Sequence, residues 1–181
     1  MTREEALEVV TERVGNRNLV KHMLAAEAVM RGLAVRIGED EDAWGLAGLI
    51  HDIDVEETAE TPEHHGLVSA ELLKEMGVGE EIIHAVKAHN GHVACESPMD
   101  RALLAADPVT GLIVAAALMH PSKKLAEVDV PFIMRRFETK RFAAGANREQ
   151  IRSCENMDIP LEDFLGVALT AMQGVSEDLG L

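Results

Sequence analysis

Apolar residues recur along almost the whole chain at spacings of three and four, which is the period of one face of an α-helix. The sequence lacks the alternating runs of β-branched or aromatic residues that usually indicate strands. The pattern therefore predicts an all-α fold, a compact single-domain bundle of about eight or nine helices covering residues 1–181. The predicted helical segments are 2–14, 18–37, 41–53, 62–77, 80–90, 98–119, 122–127, 130–142, 147–156 and 160–179.

Residues typical of helix ends support these boundaries. Thr2 and Glu5 have the spacing of a capping box, which would open the first helix. Gly38 suits the left-handed position that follows a helix. Pro108 falls inside the most apolar predicted helix, where it removes a backbone donor and crowds the preceding turn. We therefore expect a kink or a restart of that helix directly after Asp107.

The net charge of −15 restricts the partners of the chain. An acidic surface repels phosphate backbones and anionic lipids, so we expect neither a nucleic-acid polymer nor a membrane as partner. Cys95 and Cys154 stand alone in the sequence and indicate neither a thiolate metal site nor a disulfide framework. The sequence shows no signal-peptide core and no run of about 18 apolar residues, so a cytoplasmic protein is expected. Whether it forms an oligomer stays open.

Helical phase separates the histidines and acids that face the core from those that face water. The inward set lies on the apolar stripe of its own helix and consists of His22, His51, Asp52, His65, His89 and Asp107. His64 is in register with glutamates instead. His84 lies about 140° around its helix from His89. Both His64 and His84 are therefore expected to face water.

The two inward carboxylates, Asp52 and Asp107, need a counter-charge. Burial without one would cost several kcal/mol each, and no Lys or Arg shares their stripes. A divalent cation held by the inward side chains would supply it. Nitrogen and oxygen ligands without thiolate suit Mn, Fe, Co, Ni, Zn or Mg, so we predict one or two divalent metal ions of open identity.

The order of these residues resembles that of the HD-domain phosphohydrolase superfamily. The likeness extends beyond the His51-Asp52 pair to the successive segments LAGLIHDID, HGLVSAELLKEMG, IIHAVKAHN and ALLAADPVTG. It covers a motif core of residues 18–115, whereas the C-terminal helical extension, 121–181, carries no motif. The resemblance implies an HD-like helical fold.

The resemblance also implies a distribution of ligands between two metals. One metal would be held by His22, His51, Asp52 and Asp107, and Asp52 would bridge to a second metal held by His65 and His89. Asn90 stands where many relatives with two metals carry another histidine, and Asp54 stands where a glycine is common. The second metal is therefore conditional.

The function implied by the resemblance is metal-dependent hydrolysis. The enzyme would be a phosphomonoesterase or phosphodiesterase that acts on a small phosphorylated metabolite or nucleotide through a metal-activated water, with His51 and Asp52 as the catalytic pair. Two alternatives stay open. One is a di-iron oxygenase, because the same six residues look like those of the inositol-oxygenase relatives on this fold. The other is a non-catalytic module that senses a metal or a nucleotide.

Basic residues are concentrated in the segment 121–152, which holds eight of the seventeen in the chain. They are Lys123, Lys124, Arg135, Arg136, Lys140, Arg141, Arg148 and Arg152. If this segment folds over the metal site, Lys124, Arg136 and Arg141 could bind a substrate phosphate. A solvated face paired with acids elsewhere is an equal alternative.

Two further acids are candidates for orienting ligands or transferring protons. Asp54 follows His51 by three residues, and Glu27 lies on the second helix. The favoured interpretation of both is an ordinary solvated acid.

Overall fold

The computed structural model describes residues 1–139 and 141–181, and over these ranges the chain forms helices without a strand. The all-α prediction is confirmed. The α-helices are α1 (Arg3–Arg13), α2 (Arg17–Ile37), α3 (Glu41–Ile50), α4 (Leu67–Glu75), α5 (Glu80–His89), α6 (Pro98–Met119), α7 (Val130–Phe137), α8 (Arg148–Arg152), α9 (Leu161–Gly174) and α10 (Ser176–Leu179). Short 3₁₀ turns lie at Pro62–His64, Leu125–Glu127 and Ser153–Met157.

The predicted signals at the first helix ends are confirmed. The Thr2 side chain accepts from the Glu5 amide at 3.2 Å, and the Glu5 carboxylate accepts from the Thr2 amide at 2.7 Å. This is the complete capping box at the start of α1. Helix α2 ends at Gly38, whose φ of 85° lies in the left-handed region that favours glycine.

Several predicted helices were wrong in length. The predicted helix 41–53 ends at Ile50 and is followed by turns through residue 60. The predicted helix 62–77 is interrupted by Gly66, whose φ is 83°, so only α4 is α-helical there. Apolar phase does not reveal such breaks, because turns also bury one side of the chain.

The C-terminal third is also divided more finely than predicted. The segment 122–127 forms only a 3₁₀ turn, and the predicted helix 130–142 ends at Phe137. The predicted last helix, 160–179, is split at Val175, where φ is −117° and ψ is 18°. The described residues contain ten α-helices and three short 3₁₀ turns.

Helix α6 runs unbroken through Pro108, so the predicted restart does not occur. Pro108 is itself buried in the protein core. By length and composition α6 is also apolar enough to cross a bilayer, but 56 % of its most apolar stretch is buried within the protein. The core helix of a globular protein has the same character.

Helix α2 packs against α3, α6 and α9 and thereby connects the elements around the core. The approach to α3 is close, since a Cβ atom added to Gly48 would lie 2.6 Å from the carbonyl oxygen of Ala26. The contact requires glycine at that point. It brings His22 of α2 beside His51, the residue that follows α3.

Glu27 of α2 connects α1 to the core through an ion pair with Arg3. It is 4 % exposed, and its carboxylate accepts from Arg3 at 2.6 Å and from Arg31 at 3.1 Å. The interpretation of Glu27 as a solvated acid was therefore wrong. Its buried carboxylate is neutralised by two partly exposed arginines, whose removal would leave an uncompensated buried charge.

Candidate metal centre

The predicted inward side chains come together at one point in the fold. His22 lies on α2, His51 and Asp52 follow α3, His65 precedes α4, His89 ends α5 and Asp107 lies on α6. His51, Asp52 and His89 are buried, and His22, His65 and Asp107 are half-buried. The cluster therefore lies at the edge of the core, with one side open to solvent.

Asp52 is the centre of the cluster. Its Oδ1 atom lies 3.1 Å from Nε2 of His65, 3.3 Å from Nε2 of His51 and 3.4 Å from Nε2 of His89. Its Oδ2 atom lies 3.6 Å from Nε2 of His22. One carboxylate thus faces four imidazole nitrogens.

Asp107 approaches the other end of the cluster. Its Oδ1 atom lies 3.2 Å from Nε2 of His22 and 3.9 Å from Nε2 of His51. The Nε2 atoms of His22 and His51 are themselves 3.3 Å apart. These three residues form one group whose candidate ligand atoms lie within 4.8 Å of one another, and His51, Asp52 and His89 form a second such group.

Every histidine of the cluster has an acceptor for its Nδ1 atom, on the side of the ring away from the cluster. Nδ1 of His22 lies 2.8 Å from Thr110 Oγ1, whose own proton is directed to the Asp107 carbonyl at 2.9 Å. Nδ1 of His51 lies 2.8 Å from the carbonyl oxygen of Gly48.

The other two rings follow the same arrangement. Nδ1 of His89 donates to the carbonyl oxygen of Val86, and Nδ1 of His65 lies 2.7 Å from Oδ1 of Asp54. A proton on each Nδ1 leaves each Nε2 lone pair directed at the cluster, which is the tautomer of a metal-ligating histidine.

These lone pairs and the carboxylate oxygens are all acceptors, so something positive must lie between them. Oδ1 of Asp52 is buried and has no hydrogen-bond donor among residues 1–139 and 141–181. Either extra protons on the imidazoles or a cation would satisfy it. The residues fit a divalent cation well, because neutral imidazole and carboxylate are its usual ligands and no thiolate is near.

The charges of the cluster shift its pKa values accordingly. Burial lowers the pKa of His22, but the hydrogen bonds to Asp107 and Asp52 overcome this and raise it to about 10. The adjacent carboxylates of Asp52 and Asp54 raise the pKa of His65 to about 10. The carboxylates therefore favour a positive charge at these rings, and a metal ion would compete with protons for the ligand atoms.

His65 joins the cluster for a reason that helical phase did not provide. It was predicted to lie on the apolar stripe of its helix, but His65 precedes α4 and lies on no helix. The ring is positioned instead by Asp54, which is fully buried. The other carboxylate oxygen of Asp54 accepts from the amides of Gly66 and Ser69, both at 2.8 Å.

The favoured interpretation of Asp54 as a solvated acid was therefore wrong. Burial raises its pKa, but the hydrogen bonds from His65 and Ser69 outweigh that effect and lower it. Asp54 is an ionised acceptor that orients one candidate ligand. The available signal was its position three residues after His51, in the segment LIHDID that also carries Asp52.

His64 and His84 lie outside the cluster, as predicted. His64 is exposed. His84 does not simply face water, because its side chain is only 33 % exposed and its Nδ1 atom lies 3.0 Å from Oδ2 of the buried Asp100. Its partner is a structural carboxylate at the start of α6.

The basic segment reaches the cluster through small residues. A cavity of about 390 Å³ beside His22 and Asp107 is bordered by Ala143, Gly145 and Ala146. The Arg148 guanidinium fixes this loop by donating to main-chain carbonyls, including those of Ala143 at 3.0 Å and Ala146 at 2.6 Å.

The predicted phosphate-binding residues are not among those that line this cavity. Lys124 and Arg141 are exposed, and the Arg136 guanidinium lies 4.5 Å from the ring centre of Phe132. Lys140 of the same basic segment lies outside the described residues. A role of Lys124, Arg136 and Arg141 in substrate binding stays a prediction.

Comparison with known proteins assigns the family. The sequence profile of the HD domain matches residues 19–117, more than half of the chain. The chain belongs to the HD domain family. HD domains are generally metal-dependent hydrolases, and the match contains all six residues of the cluster.

Curated relatives share part of this sequence. The chain is 32 % identical over 150 residues to "Ribonuclease Y" of Nitratidesulfovibrio vulgaris, a match that covers 79 % of this chain and 28 % of that protein. It is 28 % identical over 136 residues to "Ribonuclease Y" of Sulfurovum sp., covering 74 % of this chain and 27 % of the relative. The chain thus spans little more than a quarter of the length of these relatives.

Proposed function

We propose that this HD domain hydrolyses a phosphoester bond in a small phosphorylated metabolite or nucleotide, using one or two divalent metal ions. The observation that carries the proposal is the convergence of four Nε2 atoms on the buried Asp52 carboxylate, whose Oδ1 atom has no donor in the part of the chain that the structure describes. His22, His51, Asp52 and Asp107 would hold one ion, and Asp52 would be shared with a second ion held by His65 and His89.

The chain's own residues then have definite tasks. The acceptors at each Nδ1 keep the rings in the ligating tautomer and orientation. Because His51 is fully buried, bulk water cannot easily replace it as a metal ligand. A bound divalent cation would supply a water of lowered pKa and neutralise charge on the phosphoryl oxygens. The half-buried side of His22 and Asp107 leaves room for the phosphoryl group to enter.

A screen for phosphate release tests the proposal. The purified protein is stripped of metal and assayed with Mn²⁺, Co²⁺, Ni²⁺ or Mg²⁺ against phosphomonoesters and phosphodiesters, beginning with 4-nitrophenyl phosphate and bis(4-nitrophenyl) phosphate. We expect activity that depends on added metal and that falls by at least about 100-fold in Asp52→Ala and Asp107→Ala. The exposed His64→Ala is the matched control and should retain activity. Full activity in both aspartate variants contradicts the assigned site.

Cleavage of RNA is a second candidate, favoured by the name of the relatives. Against it stand the net charge of −15 and the small share of those relatives that the chain spans. Parallel assays with a short oligoribonucleotide and with mononucleotides separate the two functions. Efficient cleavage of the oligonucleotide, weakened steeply by salt, would favour RNA over a small substrate.

A further inference from the structure

A second cavity, of about 450 Å³, opens beside the metal centre between α2, α6 and the end of the chain. We call it the α2–α6 groove. Its lining includes Asn18, Lys21, His22, Gly111, Val114 and Leu118. His22 and Gly111 also border the cavity next to Asp107, so the groove adjoins the candidate metal ligands.

Beside Asn18, Thr110 and residues 179–181, the lining of the groove includes a cationic and an apolar part. Lys21 is the cationic side chain among the described residues that line it, and its Nζ atom donates to the main-chain carbonyl of Leu179 at 2.7 Å. A carbonyl does not neutralise the ammonium charge, and two of its three donors are left for a ligand. Val114 and Leu118 supply an apolar wall, and Leu118 is 53 % exposed.

Gly111 leaves open the space between the metal centre and the α2–α6 groove. It lies within α6, yet a Cβ atom added there would meet no atom of the described residues within 4 Å. Close helix packing therefore does not require this glycine, in contrast to Gly48. A larger side chain at position 111 would instead occupy space beside both cavities, since Gly111 lines each of them.

We infer that the α2–α6 groove binds the organic part of a phosphoester that carries a second anionic group, such as a carboxylate. Lys21 would bind that group, and Val114 and Leu118 would contact the carbon chain between it and the phosphoryl group. The inference rests on the proposed function for the position of the phosphoryl group. It narrows the substrate class to doubly anionic molecules with an apolar spacer.

Equilibrium binding of stable phosphonates tests the inference without turnover. Calorimetry compares ω-phosphonoalkanoates of increasing chain length with alkylphosphonates of the same length, using the full chain loaded with Mn²⁺. At the best length the carboxylated ligand should bind about tenfold more tightly, the effect of one charge-assisted hydrogen bond. Equal affinity of the two ligand series at every length, or binding of neither, overturns the inference.

Variants assign the preference to the groove. In Lys21→Met the carboxylated phosphonate and the alkylphosphonate of the same length should bind with nearly equal affinity. Lys21→Arg should still prefer the carboxylated ligand, because the positive charge is kept. Gly111→Leu should weaken the binding of both phosphonate series, because the new side chain would fill space beside the groove. Gly174→Leu is the matched control, because Gly174 is also helical with open space at its Cβ but borders a different cavity. An unchanged ratio in Lys21→Met contradicts the assignment.

The two proposals can fail separately. Phosphonates are not hydrolysed, so a Lys21-dependent preference would support the groove even in a protein that releases no phosphate. Hydrolysis of simple phosphoesters together with equal binding of both phosphonate series would support the proposed function and overturn the groove.

Discussion

Asp54 orients His65 by a hydrogen bond of 2.7 Å between its Oδ1 atom and Nδ1 of the ring, while Nε2 of the same ring lies 3.1 Å from Oδ1 of Asp52. The imidazole thus contacts one carboxylate at each of its two nitrogen atoms. The inner one belongs to the cluster, and the outer one also caps the amides of Gly66 and Ser69. The turn after α3 is in this way connected to the start of α4.

We therefore predict that Asp54→Asn weakens metal binding by about 10- to 100-fold, the usual cost of losing a partner that orients a ligating histidine. The amide cannot serve three donors without turning its own NH₂ group toward one of them. Titration of the metal-free protein with Mn²⁺ measures the effect. Glu60→Gln, an exposed acid on the same turn, should bind as the wild type does. Equal affinity of the Asp54 variant would show that His65 is not a ligand or needs no orientation.

The limits of sequence interpretation follow from the same residues. Helical phase placed His22, His89 and Asp107 correctly, because each lies within a regular helix whose apolar stripe defines a direction. Helical phase does not apply to Asp54 or His65, because they lie in non-helical backbone after α3 and before Gly66. Their positions depend on a hydrogen bond between segments that are separate in sequence, and no local pattern encodes it.

Two glycines should respond oppositely to alanine. In Gly48→Ala the new Cβ would lie 2.6 Å from the Ala26 carbonyl oxygen, so α2 and α3 must separate, and we expect a loss of about 1–3 kcal/mol in the free energy of unfolding. In Gly111→Ala the Cβ meets nothing within 4 Å, and the helix should gain about 0.5–1 kcal/mol. Urea denaturation measures both. Equal stability of the two variants would contradict the close α2–α3 contact.

Asp100 should make stability depend on pH. It is fully buried, and its Oδ2 atom accepts from the amides of Glu96 at 2.8 Å and Ser97 at 2.9 Å and lies 3.0 Å from His84. Burial raises the pKa of Asp100, but these hydrogen bonds outweigh it and hold the pKa below its ordinary value.

Because the folded pKa is the lower one, the contribution of Asp100 is complete above the unfolded pKa of about 3.9 and is lost as the pH falls through the folded value. Asp100→Asn should cost about 1–3 kcal/mol at pH 7, and the difference from the wild type should shrink below about pH 4. Denaturation curves across this pH range measure the difference. A constant difference would show that ionisation of Asp100 contributes nothing.

The partner of Asp100 corrects the expectation for His84. As a water-facing residue, His84 would tolerate alanine without effect. Its contact with Asp100 predicts instead that His84→Ala lowers stability by about 1 kcal/mol and leaves metal affinity unchanged. The exposed His64→Ala should change neither quantity. A fall in metal affinity in His84→Ala would mean that the α5–α6 contact also positions His89.

Metal binding should stabilise the fold through Asp52. A ligand that binds only the native state adds about 2.7 kcal/mol at a concentration 100 times its dissociation constant, so Tm should rise with added Mn²⁺ and fall back with a chelator. Asp52→Asn should lose most of this rise, because its carboxylate faces all four imidazoles. The exposed Asp163→Asn on α9 should keep it. The control is needed because a chain with a net charge of −15 also attracts divalent cations weakly over its surface. Surface attraction would raise Tm equally in both variants and would weaken at high salt, whereas binding at the cluster would survive salt and separate the two.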